Sequence, residues 1–284
     1  MVLLVANLVY ATSYVAVQVT LGHVPPATLG FLRCLVGAAI LLPLVWRGPP
    51  GVRAPGDRVR IAAMGVIGFG AAFALSHWGL ERSTAANAAL LIIVEPITII
   101  LLSSLMLGER LRRRERTGAA LALAGTVLVV TNGIPGFSAT LAPQWRGDLL
   151  LVLAGIAFGA YSLIGRDVLR RHPPLLVTAL SVAWGTIALL PLAVLEWAGG
   201  ERAVWTAGAL AGTAYLGVVI TALGYLVWNW ALERVSAPRA AVFLNVQPIA
   251  GSLLGVLVLG DPMTVFTVAG GALIVAGLSL TTKA

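Results

Sequence analysis

The sequence predicts an all-α integral membrane protein whose ten transmembrane helices form two inverted five-helix repeats around a central cavity. The first observation behind this prediction is composition. Of the 284 residues, 59% are hydrophobic and only 11% are charged, whereas about a quarter of the residues in a soluble domain are charged. Apolar runs of about 20 residues recur along the chain, and a helix of that length spans a lipid bilayer. The other two observations are an internal repeat and the distribution of charge between the loops.

The second half of the chain repeats the first. The segment from Trp78 to Gly125 aligns without a gap with the segment from Trp230 to Gly277, and about 20 of the 48 positions are identical. The fronts of the two halves also match, because Pro25-Pro26 aligns with Pro173-Pro174. We therefore predict a first repeat over residues 1–132, an extracytoplasmic linker over residues 133–146 and a second repeat over residues 147–284.

Apolar runs separated by proline, glycine and charged residues indicate five helices in each half. The first run begins at the start of the chain, without the basic segment and cleavage site of a secretory signal, so we expect no cleaved leader. The predicted spans are 2–21, 27–46, 59–80, 83–107, 115–132, 147–167, 174–197, 205–232, 236–259 and 264–282.

Basic residues are concentrated in alternate loops. One set of loops, together with the C-terminal tail, holds 15 lysine and arginine residues, and the other set holds three. Because cytoplasmic loops carry the excess of Lys and Arg, this distribution places both termini in the cytoplasm. Five helices per repeat is an odd number, so the two repeats insert in opposite directions, as in many secondary transporters. The net charge of +8 therefore indicates topology and not nucleic-acid binding.

Glu95 is the acidic residue nearest the middle of a predicted span, and a carboxylate at membrane depth is a functional candidate. Three roles remain open. It could exchange protons during transport, it could bind a substrate ammonium group, or it could act structurally by pairing with Arg33 or capping backbone freed by Pro96. The repeat aligns Glu95 with Gln247, whose amide forms hydrogen bonds but does not titrate. Pro96 and Pro248 align in mid-helix, where we expect kinks that shape and gate the cavity.

Polar and aromatic side chains within the spans are candidates for a substrate cavity lined by helices 1, 3, 4, 6, 8 and 9. An aromatic wall with a few polar groups suits an amphipathic small molecule, and aromatic faces also hold cations. The alternative for each residue is packing between helices. For His77, a hydrogen-bonded packing role and a proton relay or gate both remain open. The candidates are Tyr10, Tyr14, Phe73, His77, Glu95, Tyr161, Tyr225, Trp228, Asn229, Asn245 and Gln247.

The sequence gives no basis for metal, nucleotide or other cofactor chemistry. Its three histidines, His23, His77 and His172, are scattered, and it contains no Walker-type Gly-Lys-Ser/Thr loop. An intramembrane enzyme acting on lipid-linked substrates is a remote alternative, because it would need clustered acids, histidines or metal ligands near one membrane face. We therefore expect no enzymatic activity, no cofactor and no bound metal.

Several motifs occur at aligned positions of the two halves, and together they resemble the drug/metabolite transporter superfamily of the EamA type along the whole chain. The resemblance implies a ten-helix fold that exports small metabolites, including amino acids, from bacteria through a central cavity. The aromatic interior is similar to what the aromatic amino-acid exporter subgroup would need. Gln247 departs from a symmetric pattern, so any carboxylate-based coupling would operate from the first half alone. The motifs are Leu107-Gly108-Glu109 and Leu259-Gly260-Asp261, Gly118…Gly125 and Gly270…Gly277, the Glu95-Pro96 pair, and Arg33 in helix 2.

These observations favour a secondary transporter or facilitator that exports small amphipathic metabolites, foremost aromatic or other neutral amino acids, by alternating access between inverted repeats. A multidrug or cation exporter and an uptake permease of the same fold remain open as alternatives. The expected partners are a small-molecule substrate and the lipid bilayer of the bacterial inner membrane. A monomer would suffice, since both repeats lie in one chain.

Overall fold

The computed structural model describes residues 2–46, 52, 55–107, 113–132, 144–235, 240 and 242–282, and these residues form helices joined by short connections. The predicted linker 133–146 lies almost wholly outside the described residues. The uninterrupted helices are α1 Val2–Leu21, α2 Pro26–Trp46, α5 Arg113–Asn132, α6 Trp145–Leu169, α7 Pro174–Ala198 and α10 Val265–Thr282.

The remaining helices are composite, because each changes its helical geometry along its length. The segments of α3 are Pro55–Met64, a π-helical stretch Gly65–Ala71 and Ala72–Glu81, and those of α4 are Ala85–Leu91 and Val94–Leu107. The segments of α8 are Ala207–Tyr215, a π-helical stretch Leu216–Gly224 and Tyr225–Arg234, and those of α9 are a 3-10 turn Val242–Asn245, then Val246–Leu254 and a π-helical stretch Gly255–Leu259.

The number of apolar helices agrees with the hydropathy pattern. Among the described residues, seven helical spans are long and apolar enough to cross a membrane, and three shorter apolar helices correspond to α5, α9 and α10. Two predicted boundaries need correction. The third helix begins at Pro55 and not at residue 59, and the predicted span 83–107 is interrupted at residues 92–93. The start predicted for the ninth helix, at residue 236, lies outside the described residues.

The fourth helix of each repeat is broken one turn before its proline. Pro96 has no N–H to donate to the carbonyl of Ile92, which instead accepts a hydrogen bond of 2.9 Å from the backbone N–H of Glu95. The helix tightens there and divides. Pro248 lies at the aligned position in α9, three residues after the end of the turn Val242–Asn245. The helical geometry therefore changes shortly before the aligned proline in both repeats, and kinking and gating at Pro96 and Pro248 stay predictions.

Helices α5 and α10, which occupy equivalent positions in the two repeats, run antiparallel to each other. A Cβ atom built on Gly125 would lie 2.5 Å from the carbonyl oxygen of Gly270, and one built on Gly277 would lie 2.5 Å from the carbonyl oxygen of Gly118. The two contacts are equivalent in the two repeats, because Gly118 aligns with Gly270 and Gly125 aligns with Gly277. Glycine at all these positions lets the two backbones touch.

The second and fourth helices of the repeats pair in the same way. As residue numbers rise along one helix of each pair, they fall along its partner, so equivalent helices again run antiparallel. Three such pairs are what an axis in the membrane plane between inverted repeats requires. The contacts are Gly30 with Leu189 and Gly37 with Val182 in α2–α7, and Gly251 with Ala89 and Gly255 with Ala86 in α4–α9.

The start of α4 is capped by a residue from the other repeat. The Oδ2 atom of Asp261 accepts a hydrogen bond of 2.8 Å from the backbone N–H of Ala86, and the Oγ1 atom of Thr84 accepts one of 3.1 Å from Asn87 N–H. These acceptors satisfy backbone donors that a helix N-terminus leaves unpaired. Burial raises the pKa of the Asp261 carboxyl, against the opposing effect of the Ala86 hydrogen bond. The second Leu-Gly-acid motif therefore joins the two repeats.

Candidate substrate cavity

A cavity of about 90 Å³ lies where helices from both repeats meet. The helices predicted from the sequence, α1, α3, α4, α6, α8 and α9, all contribute to its wall, and α2 joins them through Arg33. The lining combines aromatic rings, aliphatic side chains and a few polar groups. The lining residues are Tyr10, Ser13, Tyr14, Val17, Arg33, Phe73, Ser76, Leu80, Ile92, Glu95, Phe158, Tyr161, Ile220, Tyr225, Trp228, Leu244 and Gln247.

Aromatic rings form one wall of the cavity. The ring centroid of Tyr225 lies 5.8 Å from that of Tyr161 and 5.9 Å from that of Tyr10. Phe69 packs behind this wall, with its centroid 4.6 Å from Tyr225 and 5.5 Å from Phe73. Aromatic pairs attract one another at these separations and tilted orientations. The rings therefore hold one another in place, and α1, α3, α6 and α8 are joined through them.

Glu95 enters the cavity at the break in α4. Its Oε1 atom accepts a hydrogen bond of 3.5 Å from the Oγ atom of Ser162 on α6, at the long limit for such a bond. The Ser162 hydroxyl in turn accepts a hydrogen bond of 3.2 Å from Nε1 of Trp228. Arg33 lines the same cavity, but no Arg33–Glu95 ion pair within 4.0 Å occurs among the described residues. The Glu95–Arg33 pair, which was one of the roles left open by the sequence, is therefore not formed in this conformation.

Gln247 is the repeat counterpart of Glu95, and both polar atoms of its side-chain amide form hydrogen bonds. Its Oε1 atom accepts a hydrogen bond of 2.7 Å from the Tyr14 hydroxyl, and its Nε2 atom donates one of 2.7 Å to Oδ1 of Asn7. The repeat aligns Tyr14 with Ser162 and Asn7 with Gly155. The second repeat thus offers Glu95 a shorter hydrogen-bonding side chain, Ser162, and no side-chain amide. Both polar atoms of the Gln247 amide therefore form hydrogen bonds within the protein, whereas the Glu95 carboxylate can accept further hydrogen bonds.

Arg33 reaches the cavity from the middle of α2 and is 4% exposed. Its Nε atom donates a hydrogen bond of 3.0 Å to Oγ1 of Thr221, and its Nη1 atom lies 3.3 Å from Nε2 of His77. The guanidinium carbon also lies 4.1 Å from the ring centroid of Phe73, within the range of a cation–π interaction. These contacts fix the guanidinium between α3 and α8.

His77 supports Arg33 from behind the cavity. Its Nδ1 atom lies 3.0 Å from the carbonyl oxygen of Pro26. A carbonyl only accepts hydrogen bonds, so Nδ1 carries the proton and Nε2 of the neutral ring is free to accept from Arg33. The ring also stacks on Phe73, with centroids 5.8 Å apart. This arrangement matches the packing role that the sequence left open, because every polar atom of the ring is engaged.

The structure brings eight of the eleven candidate residues to the cavity wall. Asn229 lies behind the wall, where Nδ2 donates hydrogen bonds of 2.8 Å each to the Tyr161 hydroxyl and to Oγ1 of Thr178. His77 likewise lies behind the wall, and the side chain of Asn245 lies outside the described atoms. Pro96 and Pro248 sit at the helix breaks and do not line the cavity. Expecting His77 and Asn229 at the lining was therefore wrong for this conformation.

Three polar residues of the cavity wall, Ser13, Ser76 and Arg33, are not among the eleven candidates taken from the sequence. Ser13 lies one helical turn from Tyr10 and Val17, so the spacing of the polar stripe in helix 1 could have identified it. Ser76 lies three residues after Phe73 on the same helix face, which is a similar signal. Arg33 was recognised as a charge within a span, but its assignment to the wall required the contacts between α2, α3 and α8.

Comparisons with known proteins identify the family. The model of the EamA-like transporter family matches residues 1–131 and 145–283. The chain belongs to this family. The two matched segments cover nearly the whole of the chain, and the transporters of this family form a ten-helix fold of the drug/metabolite transporter superfamily.

Among the relatives of this EamA-like transporter are proteins named for amino-acid export. It is 30% identical, over 95% of its length and 89% of the relative, to a "Probable terminal-alkyne amino-acid exporter" of Streptantibioticus cattleyicolor. It is 25% identical, over 97% of its length and 91% of the relative, to a "Probable amino-acid metabolite efflux pump" of Salmonella typhimurium. A crystal structure with 24% sequence identity matches the fold with a TM-score of 0.70, covering 99% of this chain and 96% of the other. The protein is therefore a multi-pass membrane transporter and not an enzyme.

Two polar clusters tie helix ends of the transporter together. The buried carboxylate of Asp148, at the start of α6, accepts a hydrogen bond from the Ser83 hydroxyl and one of 3.3 Å from Nδ2 of Asn87. At the start of α3, Asp57 accepts hydrogen bonds of 2.8 Å from Arg171 and 2.9 Å from His172. The first cluster joins α6 to the α3–α4 connection, and the second joins α3 to the α6–α7 connection.

Proposed function

We propose that this transporter exports neutral amino acids, foremost aromatic ones, from the bacterial cytoplasm. The observation that supports this proposal is a cavity between the two repeats that combines an aromatic wall with the carboxylate of Glu95. This carboxylate accepts one long hydrogen bond, from Ser162, and can accept others. Aromatic rings suit an apolar or aromatic side chain, and Glu95 offers a partner for the substrate ammonium group. The names of two relatives, both exporters of amino acids or their metabolites, support the same substrate class.

Transport would follow from motion of one repeat against the other around this cavity. The proposed units are residues 1–132 and residues 147–284, with an extracytoplasmic linker over residues 133–146 and both termini in the cytoplasm of a cell whose inner membrane holds the protein. The cavity of about 90 Å³ is smaller than the engineered cavity of about 150 Å³ that binds benzene. An aromatic amino acid therefore needs a wider conformation, which hinging at Pro96 and Pro248 would provide. One chain holds both repeats, so we propose that the monomer is the functional unit.

A second candidate is export of organic cations. The aromatic rings and the carboxylate of Glu95 together would also suit a drug-like cation, since aromatic faces and a nearby acid both stabilise positive charge. The two substrate classes differ in one chemical feature, because an amino acid carries a carboxylate and a simple cation does not.

The test is uptake of a labelled panel of neutral amino acids into proteoliposomes, with and without an imposed pH gradient. We expect saturable uptake of phenylalanine that unlabelled amino acids compete away. Glu95→Gln keeps the side-chain shape and removes the charge, so we expect its apparent affinity to fall about 10-fold or more, the effect of losing a hydrogen bond to a charged group. Glu233→Gln, at an exposed helix end, is the matched control and should behave as wild type.

The pH gradient distinguishes the roles of Glu95. If uptake depends on the gradient in wild type and loses that dependence in Glu95→Gln while binding persists, Glu95 carries the coupling proton. If wild-type uptake proceeds equally without a gradient, Glu95 serves substrate binding alone. Failure of every amino acid in the panel to enter the vesicles, with a cationic dye entering instead, would overturn the amino-acid proposal.

A further inference from the structure

We propose that Arg33 is the carboxylate-recognition residue of the central cavity, so that the transporter selects zwitterionic α-amino acids over amines that lack a carboxylate. This inference rests on the amino-acid export proposed above. It adds a second recognition point and a reason for the cavity to reject organic cations, the competing substrate class.

Arg33 is a buried cation that has no anionic partner among the described residues. It is 4% exposed, and no carboxylate oxygen of the described residues lies within 4.0 Å of its guanidinium. Removing a charge from water without a compensating charge is costly, and arginine at membrane depth is expected to serve function. The protein therefore maintains positive charge at a cavity wall, where an incoming anion can neutralise it.

The Arg33 guanidinium has N–H donors that its protein contacts do not use. Arginine carries five N–H groups in a planar fork that matches a carboxylate. The hydrogen bonds to Thr221 and His77 occupy two of these groups. Because Arg33 also lines the cavity, the other donors are available to a bound molecule. A pair of parallel hydrogen bonds from arginine to a carboxylate is among the strongest polar contacts in proteins.

The Arg33 guanidinium is preorganised by contacts from two neighbouring helices. Thr221 from α8 and His77 from α3 hold two of its nitrogen atoms, and the face of Phe73 lies 4.1 Å from its central carbon. A side chain fixed in this way loses little further conformational freedom when it binds a ligand. His77 and Thr221 therefore act as positioning residues for Arg33.

The charged groups of the cavity complement those of a zwitterionic amino acid. Arg33 and Glu95 line one space without forming an ion pair with each other, so the space holds one positive and one negative group. A molecule with both a carboxylate and an ammonium group can satisfy both residues. An amine alone leaves the guanidinium unpaired, and a carboxylic acid alone leaves Glu95 unpaired, and each unpaired buried charge lowers affinity.

The experiment measures displacement of labelled L-phenylalanine from the purified full-length protein by three unlabelled ligands: L-phenylalanine, phenethylamine and 3-phenylpropionate. The second ligand lacks the carboxylate and the third lacks the ammonium group. We expect phenethylamine to bind wild type about 10- to 100-fold more weakly than phenylalanine, the effect of losing hydrogen bonds to a charged group. Measurements on Arg33→Gln, Arg33→Lys and the control Arg146→Gln, at an exposed position, complete the set.

We expect that the effect of removing the carboxylate from the ligand and the effect of removing the Arg33 guanidinium do not add. Arg33→Gln should weaken phenylalanine binding by about the same 10- to 100-fold and should not weaken phenethylamine binding, because phenethylamine makes no carboxylate contact that the substitution could remove. Arg33→Lys should recover part of the loss for phenylalanine, since it restores the charge without the fork. Arg146→Gln should match wild type for all ligands.

The outcomes separate this inference from the proposed function. If wild type binds no amino acid, the export proposal fails and the Arg33 inference fails with it. If phenylalanine binds but phenethylamine binds equally well, or Arg33→Gln weakens both ligands equally, the amino-acid proposal stands and Arg33 has only a structural role. If Arg33→Gln does not accumulate as folded protein, the wild-type comparison of phenylalanine with phenethylamine decides alone.

Discussion

The contact between Gly68 and Tyr161 gives a prediction that links packing to the substrate cavity. Gly68 lies in the π-helical stretch of α3, and a Cβ atom built on it would lie 2.7 Å from Cγ and 2.8 Å from Cβ of Tyr161. Because Tyr161 Cβ is attached directly to the backbone of α6, rotation of the ring cannot relieve the clash. The substitution Gly68→Ala must therefore push α3 and α6 apart or distort one of them.

The matched control is Gly56→Ala in the same helix, where a new Cβ atom would meet nothing within 4 Å. Replacing glycine by alanine within a helix adds up to about 1 kcal/mol of stability at either site. The difference between the two variants therefore isolates the overpacking, which is about 1–3 kcal/mol in close-packed interiors. For a chain of this size we expect the midpoint of thermal unfolding to be roughly 2–10 °C lower for Gly68→Ala than for Gly56→Ala.

The assay is thermal unfolding of both variants in detergent, combined with binding of labelled phenylalanine. Tyr161 lines the cavity and its hydroxyl accepts the hydrogen bond from Asn229, so Gly68→Ala should also weaken phenylalanine binding, whereas Gly56→Ala should not. Equal midpoints for the two variants would refute the close α3–α6 contact. A lower midpoint with unchanged binding would instead refute the role of the Tyr161 wall in holding the substrate.

Two further predictions test the architecture. Gly125→Ala and Gly277→Ala place a Cβ atom 2.5 Å from a backbone oxygen of the facing helix, so unfolding measurements should find similar losses of about 1–3 kcal/mol for both; a loss for only one would contradict the symmetric α5–α10 contact. Asp148→Ala leaves the buried donors of Ser83 and Asn87 without their acceptor and should lower stability by about 1–3 kcal/mol per unsatisfied group. Ser83→Ala should lower the stability less than Asp148→Ala, because Asn87 still donates to Asp148. Equal losses of stability would contradict a separate contribution of the Asn87–Asp148 hydrogen bond.

The sequence was sufficient for the helices and for the repeat because both depend on properties that a chain displays directly. Apolar length predicts a membrane span, and a gap-free alignment reveals a duplicated unit. A change of helical geometry near the two prolines was equally accessible, since proline lacks the N–H that a continuous helix needs. The antiparallel pairing of equivalent helices then follows from an odd number of helices per repeat.

The side chains that face the cavity were harder to predict because helical direction changes along α3 and α8. Both contain a π-helical stretch at aligned positions, Gly65–Ala71 and Leu216–Gly224. A π-helical turn rotates every later side chain relative to an ideal helix, and no apolar pattern signals it. His77 and its counterpart Asn229 follow these stretches, and both point behind the cavity wall.

The role of a charged residue was the least accessible feature. Arg33 and Glu95 were visible as charges within spans, and their opposite signs left a pair between them open. Whether they pair depends on distances between α2 and α4 that the sequence does not contain. The difference between Glu95 and Gln247 likewise depends on neighbours from other helices, because Tyr14 and Asn7 hold the amide while Ser162 and Gly155 occupy the equivalent positions around the carboxylate.

Equilibrium binding of labelled L-phenylalanine to wild type and two leucine variants tests whether an amino acid binds in the cavity between the two repeats. Ser13→Leu replaces a cavity-lining hydroxyl by an isopropyl group, and Ser279→Leu makes the same change at an exposed position of α10. We predict one saturable site per chain in wild type, retained in Ser279→Leu and lost in Ser13→Leu with unchanged thermal stability. If Ser13→Leu binds L-phenylalanine as tightly as wild type does, the substrate occupies another part of the protein and the cavity is not its binding site.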